Sequence, residues 1–280
     1  MSLFSTTNSW AGGVATKTDT GLVSVYLNRA VRLDVIFPRE YETAPDPFPV
    51  LYLNDGQDLE RLRMTQVLDA LDAQQTVRPF VLVAIHAGDR IQEYGVAAQA
   101  DYLHRGAKAG VYTEFVKHEL VPYVQKQYRV SQQPTEAVFA GFSLGGLSAF
   151  DLVWNHPDLF RKAGVFSGSF WWRQRGLNEG YSDADRIMHA HIRKTQPPTD
   201  SAFWLQTGTL DETDDRDNDG IIDSIDDTLD LIAELERKGF RWGQHVKYVE
   251  VQDGRHEPET WSQVMPQFLH WAFPPPKNRT

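Results

Sequence analysis

Eight short apolar segments, separated by longer segments of helical periodicity, constrain the fold of this chain most strongly. The apolar segments are residues 21–28, 30–38, 49–55, 80–86, 137–142, 162–167, 203–207 and 246–251. Apolar side chains recur every three to four residues in the segments 61–75, 111–128, 144–154, 226–238 and 259–272. Strands that are apolar on both faces and alternate with helices are typical of a mainly parallel sheet covered by helices on both sides. Too few residues join the first two strands for a crossover helix, so we predict an antiparallel hairpin at one edge.

The organisation of the chain indicates one α/β domain. Its 280 residues contain no evident linker or repeat, and we predict an N-terminal arm over residues 1–20 and a single domain over 21–280. The longest apolar run, residues 80–85, is far shorter than the roughly 20 residues that cross a bilayer. No signal-peptide pattern opens the chain, so a cytoplasmic location is the default expectation unless a leader has been replaced.

Charge and cysteine content exclude several classes of function. With 28 basic and 38 acidic side chains the net charge is −10, whereas a nucleic-acid binder needs a basic face to neutralise phosphates. The absence of cysteine excludes disulfides, thiolate zinc sites and cysteine nucleophiles. Nothing in the sequence indicates an oligomeric state.

The motif that bears most directly on chemistry is Gly141-Phe-Ser143-Leu-Gly145. It lies where a buried apolar segment ends and a helical segment begins. A tight turn from strand to helix needs small residues on both sides of the serine, and it presents the hydroxyl at the carboxyl end of the sheet. We therefore predict that Ser143 is a nucleophile.

A serine nucleophile needs a base, and the base needs an acid that orients it. In sheet enzymes of this kind the chain order is serine, acid, histidine. Asp211 follows a late apolar segment and fits the acid, with its neighbour Glu212 as the alternative. His256 lies in a polar turn after the last strand and fits the base. The other histidines downstream of the acid lie at the start of a strand and in the final helix: His245 and His270.

Hydrolysis of an acyl group also needs two donors for the oxyanion. The backbone N–H of Leu144, directly after the nucleophile, is the first candidate. The second is Gln57, which follows a sharp glycine turn at the end of the apolar segment 49–55. An ordinary turn at the end of a strand remains the alternative interpretation of that segment.

Substrate contacts are expected beyond the carboxyl ends of the strands, where open α/β sheets bind their ligands. Five residues follow strands in this way: Arg90, Glu93, Tyr94, Trp171 and Trp172. Aromatic side chains there are suited to holding an acyl or sugar group, but they are equally good core material. Both interpretations are kept.

Four segments together resemble the "putative esterase" family of α/β-hydrolases. They are Leu53-Asn-Asp-Gly-Gln57, Gly141-Phe-Ser-Leu-Gly-Gly146, Ser167-Gly-Ser-Phe-Trp-Trp172 and His256-x4-Trp261. The family includes enterochelin, feruloyl and acetylxylan esterases, S-formylglutathione hydrolases and mycolyltransferases. The resemblance spans roughly residues 25–272. It implies the α/β-hydrolase fold, a triad and two oxyanion donors: Ser143, Asp211, His256, Gln57 and Leu144.

At two points the sequence departs from the patterns of individual members of the family. S-formylglutathione hydrolases typically carry histidine at the position of Phe142. Enterochelin esterases usually have an additional N-terminal domain, for which this sequence has no room.

A second motif resembles a calcium-binding loop. Positions 1, 3, 5, 7, 9 and 12 of the loop are Asp215, Asp217, Asp219, Ile221 (through its carbonyl), Asp223 and Asp226. Calcium takes six to eight oxygen ligands, and Gly220 stands where the loop must bend sharply. Asp226 replaces the usual bidentate glutamate. We predict a structural calcium ion at residues 215–226 and no organic cofactor, with a solvated acidic turn as the alternative.

The sequence therefore predicts a serine carboxylic ester hydrolase that forms an acyl-enzyme from a small-molecule or carbohydrate ester. The main alternative among enzymes is acyl transfer to an alcohol or sugar acceptor. The alternative from another class is a non-catalytic, calcium-dependent carbohydrate-binding module.

Overall fold

A computed structural model describes residues 13–196 and 200–275 of the chain. Each of the predicted apolar segments overlaps one strand of a single eight-stranded sheet. The strands are β1 Ala15–Ser24, β2 Arg29–Phe37, β3 Val50–Asn54, β4 Val81–Ile85, β5 Ala137–Phe142, β6 Lys162–Phe166, β7 Ala202–Leu210 and β8 Val246–Arg255.

The strand order across the sheet is β1-β2-β4-β3-β5-β6-β7-β8. β1 pairs with β2 and β2 pairs with β4 in antiparallel fashion, while all the other pairings are parallel. The predicted fold class, a mainly parallel sheet with an antiparallel hairpin at one edge, is confirmed. At the centre, Leu53 of β3 pairs with Ala140 of β5, and Phe142 of β5 pairs with Phe166 of β6.

The predicted N-terminal arm is wrong from residue 15 onward, because β1 begins at Ala15. The segment is polar in sequence, but its Asp19 lies buried inside the strand. The phenols of Tyr123 and Tyr128 both donate to its carboxylate. A buried acid becomes tolerable in a strand when it is hydrogen-bonded in this way. Residues 1–12 of the predicted arm lie outside the described residues.

Eight α-helices accompany the sheet in the described part of the chain. They are α1 Met64–Gln74, α2 Arg90–Glu93, α3 Ala109–Phe115, α4 Val121–Gln127, α5 Leu144–Asn155, α6 Ile187–Lys194, α7 Asp223–Arg237 and α8 Pro258–Ala272. A π-helical turn at Val116–Leu120 joins α3 to α4, so the predicted helix 111–128 is continuous but not regular. None of the helices in residues 13–196 and 200–275 is both long and apolar enough to span a bilayer.

The hydrophobic core lies on both faces of the sheet. Side chains alternate along each strand, so Leu51 packs toward α1 and α8 while Tyr52 packs toward the opposite face, where α3 and α5 lie. Both residues are almost fully buried. This arrangement leaves the carboxyl edge of the sheet, where the segments after β3, β5 and β6 meet, to carry polar groups.

Phe268 of α8 tests how much the helix layer on one face contributes to stability. The side chain is fully buried, with its ring centroid 5.3 Å from that of Phe166 and 5.4 Å from that of Trp204. We expect Phe268→Ala to lower the free energy of unfolding by about 3–5 kcal/mol, because it leaves a cavity between α8 and the sheet. Chemical denaturation followed by circular dichroism measures the change.

Leu229→Ala is the matched control, since Leu229 lies on α7 and is 36% exposed. It should lower the free energy of unfolding by less than about 1 kcal/mol. Equal losses in the two variants would contradict the assignment of Phe268 to a tightly packed core.

Candidate active site

The backbone of Ser143 is strained. The residue connects β5 to α5 with φ 54° and ψ −122°, a conformation that residues with a side chain rarely adopt. A Cβ on Gly141 would lie 2.3 Å from the carbonyl oxygen of Gly145, and a Cβ on Gly145 would lie 2.7 Å from an Asp55 carboxylate oxygen. The two glycines are therefore required by close approach, and the turn presents the serine at the N-terminus of α5.

The loop after β6 is hydrogen-bonded to this turn. The N–H of Ser143 donates to the carbonyl of Phe166 at 2.9 Å, and the N–H of Ser169 donates to the carbonyl of Ser143 at 3.2 Å. The two serine hydroxyls, Ser143 Oγ and Ser169 Oγ, are 3.3 Å apart. Sequence reasoning assigned no role to Ser169, although it lies within the Ser167–Trp172 segment that carries the family resemblance.

The two predicted oxyanion donors lie on neighbouring segments. Leu144 is the first residue of α5, where backbone N–H groups have no helical partner and the helix dipole favours negative charge. Gln57 lies in a short 3₁₀ turn, Gly56–Asp58, directly after β3. Asn54 Nδ2 donates to the carbonyl of Gly145 at 2.9 Å and thereby ties the end of β3 to the first turn of α5.

The side chain of Gln57 is occupied by its own loop. Its Nε2 donates to Asp55 Oδ1 at 2.8 Å, and its Oε1 accepts from the N–H of Ala87 at 3.2 Å. These bonds hold the loop at both ends and leave the backbone N–H of Gln57 as the predicted donor.

A bidentate ion pair lies beside these groups. Arg90 Nε donates to Asp55 Oδ1 at 2.8 Å and Arg90 Nη2 donates to Asp55 Oδ2 at 3.1 Å. The same Nη2 donates to the carbonyl of Phe142, the residue before the serine, at 3.1 Å. Asp55 is almost fully buried, so the guanidinium compensates a negative charge that would otherwise lie unpaired next to α5. Asp55 was missed as a candidate, although it lies in the quoted Leu53–Gln57 motif.

His256 lies in the bend between β8 and α8. Its ring packs edge-on against Trp261, with centroids 5.4 Å apart, while the side chain remains accessible to solvent. Desolvation by the surrounding loops lowers the pKa of His256, the Asp211 carboxylate acts in the opposite sense, and the positive charge of Arg90 lowers it further. The electrostatics therefore favour a neutral imidazole near neutral pH.

Asp211 lies just past the end of β7 and is 9% exposed. The N–H of Gly208 donates to Asp211 Oδ2 at 2.9 Å, whereas Oδ1 is buried with no hydrogen-bond partner among the described residues. Burial raises the pKa of Asp211, and the charge of His256 is among the opposing effects. Within residues 13–196 and 200–275, no hydrogen bond links His256 to Asp211 or to Ser143.

Glu212, the alternative acid, lies in a different environment. Burial, together with the nearby carboxylates of Asp223 and Asp214, raises its pKa to about 7. Since the Asp211 charge acts on the pKa of His256, Asp211 stays the predicted acid and Glu212 the alternative.

Three of the five predicted substrate residues are buried: Glu93, Tyr94 and Trp172. Glu93 accepts from Arg29 at 3.0 and 2.7 Å, and Tyr94 Oη accepts from the N–H of Asp55 at 3.3 Å. Tyr94 and Trp172 are 0% exposed and present no surface to a ligand. The expectation of substrate contact is therefore wrong for these three, because each packs in the interior.

The other two predicted substrate residues keep accessible surface. The Arg90 side chain is 32% exposed. Trp171 is half-buried and lies beneath the guanidinium of Arg105, whose carbon is 4.8 Å from the ring centroid. Substrate contact by Arg90 and Trp171 stays a prediction.

The predicted calcium ligands are only partly brought together. Carboxylate oxygens of Asp215, Asp217 and Asp219 lie within 4.8 Å of one another. The N–H of Gly220 donates to Asp215 at 3.0 Å and that of Ile221 to Asp219 at 2.8 Å, which winds the chain around the acids. These three carboxylates are the described groups best placed to hold a cation.

The last two acids of the loop, Asp223 and Asp226, have different surroundings. Asp226 lines the same surface cleft as Asp217 and Asp219. Burial and the charges of those two carboxylates raise the pKa of Asp226 to about 6. Asp223 is bound to Arg216 instead: its Oδ1 accepts from the Arg216 N–H at 2.9 Å, and its Oδ2 lies 3.2 Å from Arg216 Nη1. Direct coordination by Asp223 is not supported by this arrangement.

Comparisons with known proteins agree with the geometry. Residues 24–272 match the model of the family described as "Putative esterase". The uncharacterized protein YbbA of Bacillus subtilis is 25% identical over 254 residues, which cover 89% of this chain and 94% of that protein. The iron(III) enterobactin esterase of Escherichia coli K12 is 31% identical over 132 residues, 46% of this chain and 30% of the relative.

Solved structures show the same fold. A ferulic acid esterase superposes with a TM-score of 0.68 at 21% identity, over 93% of this chain and 97% of the other. The enterobactin esterase of Shigella flexneri superposes with a TM-score of 0.73 at 21% identity, over 94% of this chain and 60% of the other. The family match extends over most of the sequence, and the chain therefore belongs to the "Putative esterase" family, with the α/β-hydrolase fold.

Proposed function

We propose that this esterase is a serine hydrolase of carboxylic esters, in which Ser143 is the nucleophile, His256 the base and Asp211 the acid. The observation that carries the proposal is the strained backbone of Ser143 at the N-terminus of α5. Strain of this kind persists only where the surrounding structure fixes it, and it is concentrated at functional sites. The family match supports ester hydrolysis as the reaction.

In the first half of the reaction, Ser143 Oγ attacks the ester carbonyl while an imidazole nitrogen of His256 accepts the hydroxyl proton. The negative charge that develops on the carbonyl oxygen is met by the N–H groups of Leu144 and Gln57. Collapse of the intermediate releases the alcohol, which takes the proton from the imidazolium. Asp211 stabilises that imidazolium.

In the second half, water replaces the alcohol and His256 accepts a proton from it. The acyl-enzyme is hydrolysed and Ser143 regains its proton. The ion pair between Arg90 and Asp55 assists both halves of the reaction. An unpaired Asp55 carboxylate beside the developing oxyanion would raise the energy of the tetrahedral intermediate.

The proposed substrate is a small-molecule ester. The two predicted substrate residues that keep accessible surface, Arg90 and Trp171, are suited to a group that combines negative charge or hydrogen-bond acceptors with a flat apolar surface. Enterobactin esterase and ferulic acid esterase are named among the structural relatives. Product analysis with and without added alcohols or sugars distinguishes hydrolysis from acyl transfer.

Ser143→Ala tests the nucleophile. We expect kcat for p-nitrophenyl acetate to fall by about 10⁴-fold or more, because no other group can form the acyl-enzyme. Labelling by a fluorophosphonate, which reacts with activated serines, should disappear. Unchanged circular dichroism and melting temperature would show that the variant is folded.

The control is Ser131→Ala. Ser131 is a buried serine whose Oγ accepts from the N–H of Gln133 at 3.1 Å, and it precedes β5, at the opposite edge of the sheet. This variant should keep wild-type turnover and labelling. Wild-type turnover in Ser143→Ala itself would contradict the proposed function.

The pH dependence of kcat/KM reports the charge of His256. Catalysis needs the neutral imidazole, and desolvation by the surrounding loops lowers the pKa of His256 below its ordinary value of 6.5. We therefore expect activity to be lost on acidification, with a midpoint below pH 6.5. Initial rates between about pH 4 and pH 8 locate the midpoint.

Asp211→Asn should move this midpoint to lower pH as well as reduce the maximal rate. The Asp211 carboxylate raises the pKa of His256, so its removal makes the imidazole harder to protonate. Asp46→Asn, which neutralises an exposed acid distant from the site in sequence, is the control for a loss of negative charge. A midpoint that moved to higher pH in Asp211→Asn would exclude the proposed pairing.

Calcium binding by residues 215–226 stays a prediction of the sequence, to which the clustered carboxylates of Asp215, Asp217 and Asp219 lend support. We expect calorimetry on chelator-treated protein to show binding of calcium and the melting temperature to rise with the metal. Asp217→Asn should weaken binding, while Asp46→Asn should not. No heat and no thermal shift would exclude the site.

A further inference from the structure

The hydroxyl of Ser169 lies 3.3 Å from the Oγ of the proposed nucleophile. Within residues 13–196 and 200–275, Ser143 Oγ has one hydrogen-bonding partner, and that partner is Ser169 Oγ at 3.3 Å. Ser169 belongs neither to the triad nor to the oxyanion donors. Its side chain is nonetheless in contact with the atom that would form the bond to the substrate.

The position of the Ser169 hydroxyl relative to Ser143 is fixed by the backbone. Ser169 is 2% exposed, its N–H donates to the carbonyl of Ser143, and its own carbonyl accepts from the N–H of Trp172, both at 3.2 Å. On the other side, the N–H of Ser143 donates to the carbonyl of Phe166 at 2.9 Å. Backbone hydrogen bonds therefore join the loop of Ser169 to the turn of Ser143.

The rest of the loop after β6 is also fixed by hydrogen bonds. Ser167 has φ 47°, an unfavourable backbone conformation for a residue with a side chain. Its N–H donates to the carbonyl of Gln206 in β7 at 2.8 Å, and its Oγ accepts from Trp261 Nε1 in α8 at 2.9 Å. Contacts with the serine turn, β7 and α8 thus fix the loop that carries Ser169.

The direction of the hydrogen bond between the two serines follows from the chemistry. Ser143 has a single hydroxyl proton, and attack on an ester requires that this proton point to the base. Ser143 Oγ must then accept a hydrogen bond from Ser169, because the hydroxyl proton of Ser169 takes no part in that transfer to the base. We infer that Ser169 is a further catalytic residue, which donates a hydrogen bond to Ser143 Oγ; this inference rests on the proposed function.

The bond would contribute to both halves of the reaction. During attack, the bond between Oγ and the acyl carbon forms, the carbonyl electron pair moves to the carbonyl oxygen, and the proton of Ser143 passes to His256. The donor from Ser169 holds Oγ in the orientation that this transfer needs.

During hydrolysis of the acyl-enzyme, the oxygen of water bonds to the acyl carbon and the bond from that carbon to Ser143 Oγ breaks. The electron pair returns to Oγ, which then takes the proton from His256. Negative charge grows on Oγ as the bond breaks, so a hydrogen bond from Ser169 is stronger in the transition state than in the ester. Loss of this hydrogen bond should therefore change kcat more than KM.

Ser169→Ala is the direct test. We expect kcat for p-nitrophenyl acetate to fall about tenfold with KM changed less than about twofold, and fluorophosphonate labelling to slow to a similar degree. The acid midpoint of the pH profile should stay in place because His256 is untouched. The melting temperature should stay close to that of Ser131→Ala, the buried-serine control.

Ser169→Thr restores the hydroxyl and should recover most of the rate. Where the added methyl group lowers the melting temperature in this buried position, Ser169→Cys serves instead, and its weaker S–H donor should give an intermediate rate. Wild-type kcat and labelling in Ser169→Ala would overturn the inference. So would a loss that appears in KM and melting temperature and that neither Ser169→Thr nor Ser169→Cys relieves, because that pattern is structural.

Ser143→Ala separates this inference from the proposed function. If Ser143→Ala retains turnover, the proposed function fails and the role of Ser169 fails with it. If Ser143→Ala is inactive while Ser169→Ala has wild-type kinetics, only the inference about Ser169 is wrong.

Discussion

The positive φ of Ser143 is the constraint on which the rest of the site depends. The turn that holds Ser143 in that conformation brings other atoms so close that its neighbours cannot carry a Cβ atom. This close approach explains Gly141 and Gly145. The turn also needs support from both flanking elements. β5 supplies it by pairing with β3 and β6. α5 supplies it through the N–H groups of Gly146 and Leu147, which donate to the carbonyl of Ser143 at 3.1 and 3.0 Å.

Segments from three strands are bonded to this turn from two sides. Asn54, at the end of β3, donates to Gly145, and Arg90, after β4, donates to the carbonyl of Phe142. Phe166 and Ser169, at the end of β6, exchange backbone hydrogen bonds with Ser143. Parallel strands place all of these chain segments at one edge of the sheet. The strained turn is thus the point where the loops of the active site are joined.

The net charge of −10 is concentrated in one segment, since residues 211–227 hold nine acids and one base. The fold compensates part of it. Asp227 Oδ1 accepts from Arg186 and from Arg216, both at 2.6 Å, and Asp223 is also held by Arg216. In the described part of the chain, the carboxylates of Asp215, Asp217 and Asp219 remain clustered without an arginine partner. The structure divides the acids of this segment between a buried ion-pair network and an exposed acidic loop.

The sequence by itself determined the order of strands and helices and the position of the serine turn, because both depend on local periodicity and on small residues at fixed spacing. Only the tertiary structure decided that Asp55 is paired with Arg90 and that the hydroxyl of Ser169 lies beside that of Ser143. It also decided that three expected substrate residues are core: Glu93, Tyr94 and Trp172. The burial of a side chain and its hydrogen-bond partners depend on how segments distant in the chain pack together. The periodicity of one segment does not show which other segments lie beside it in the sheet.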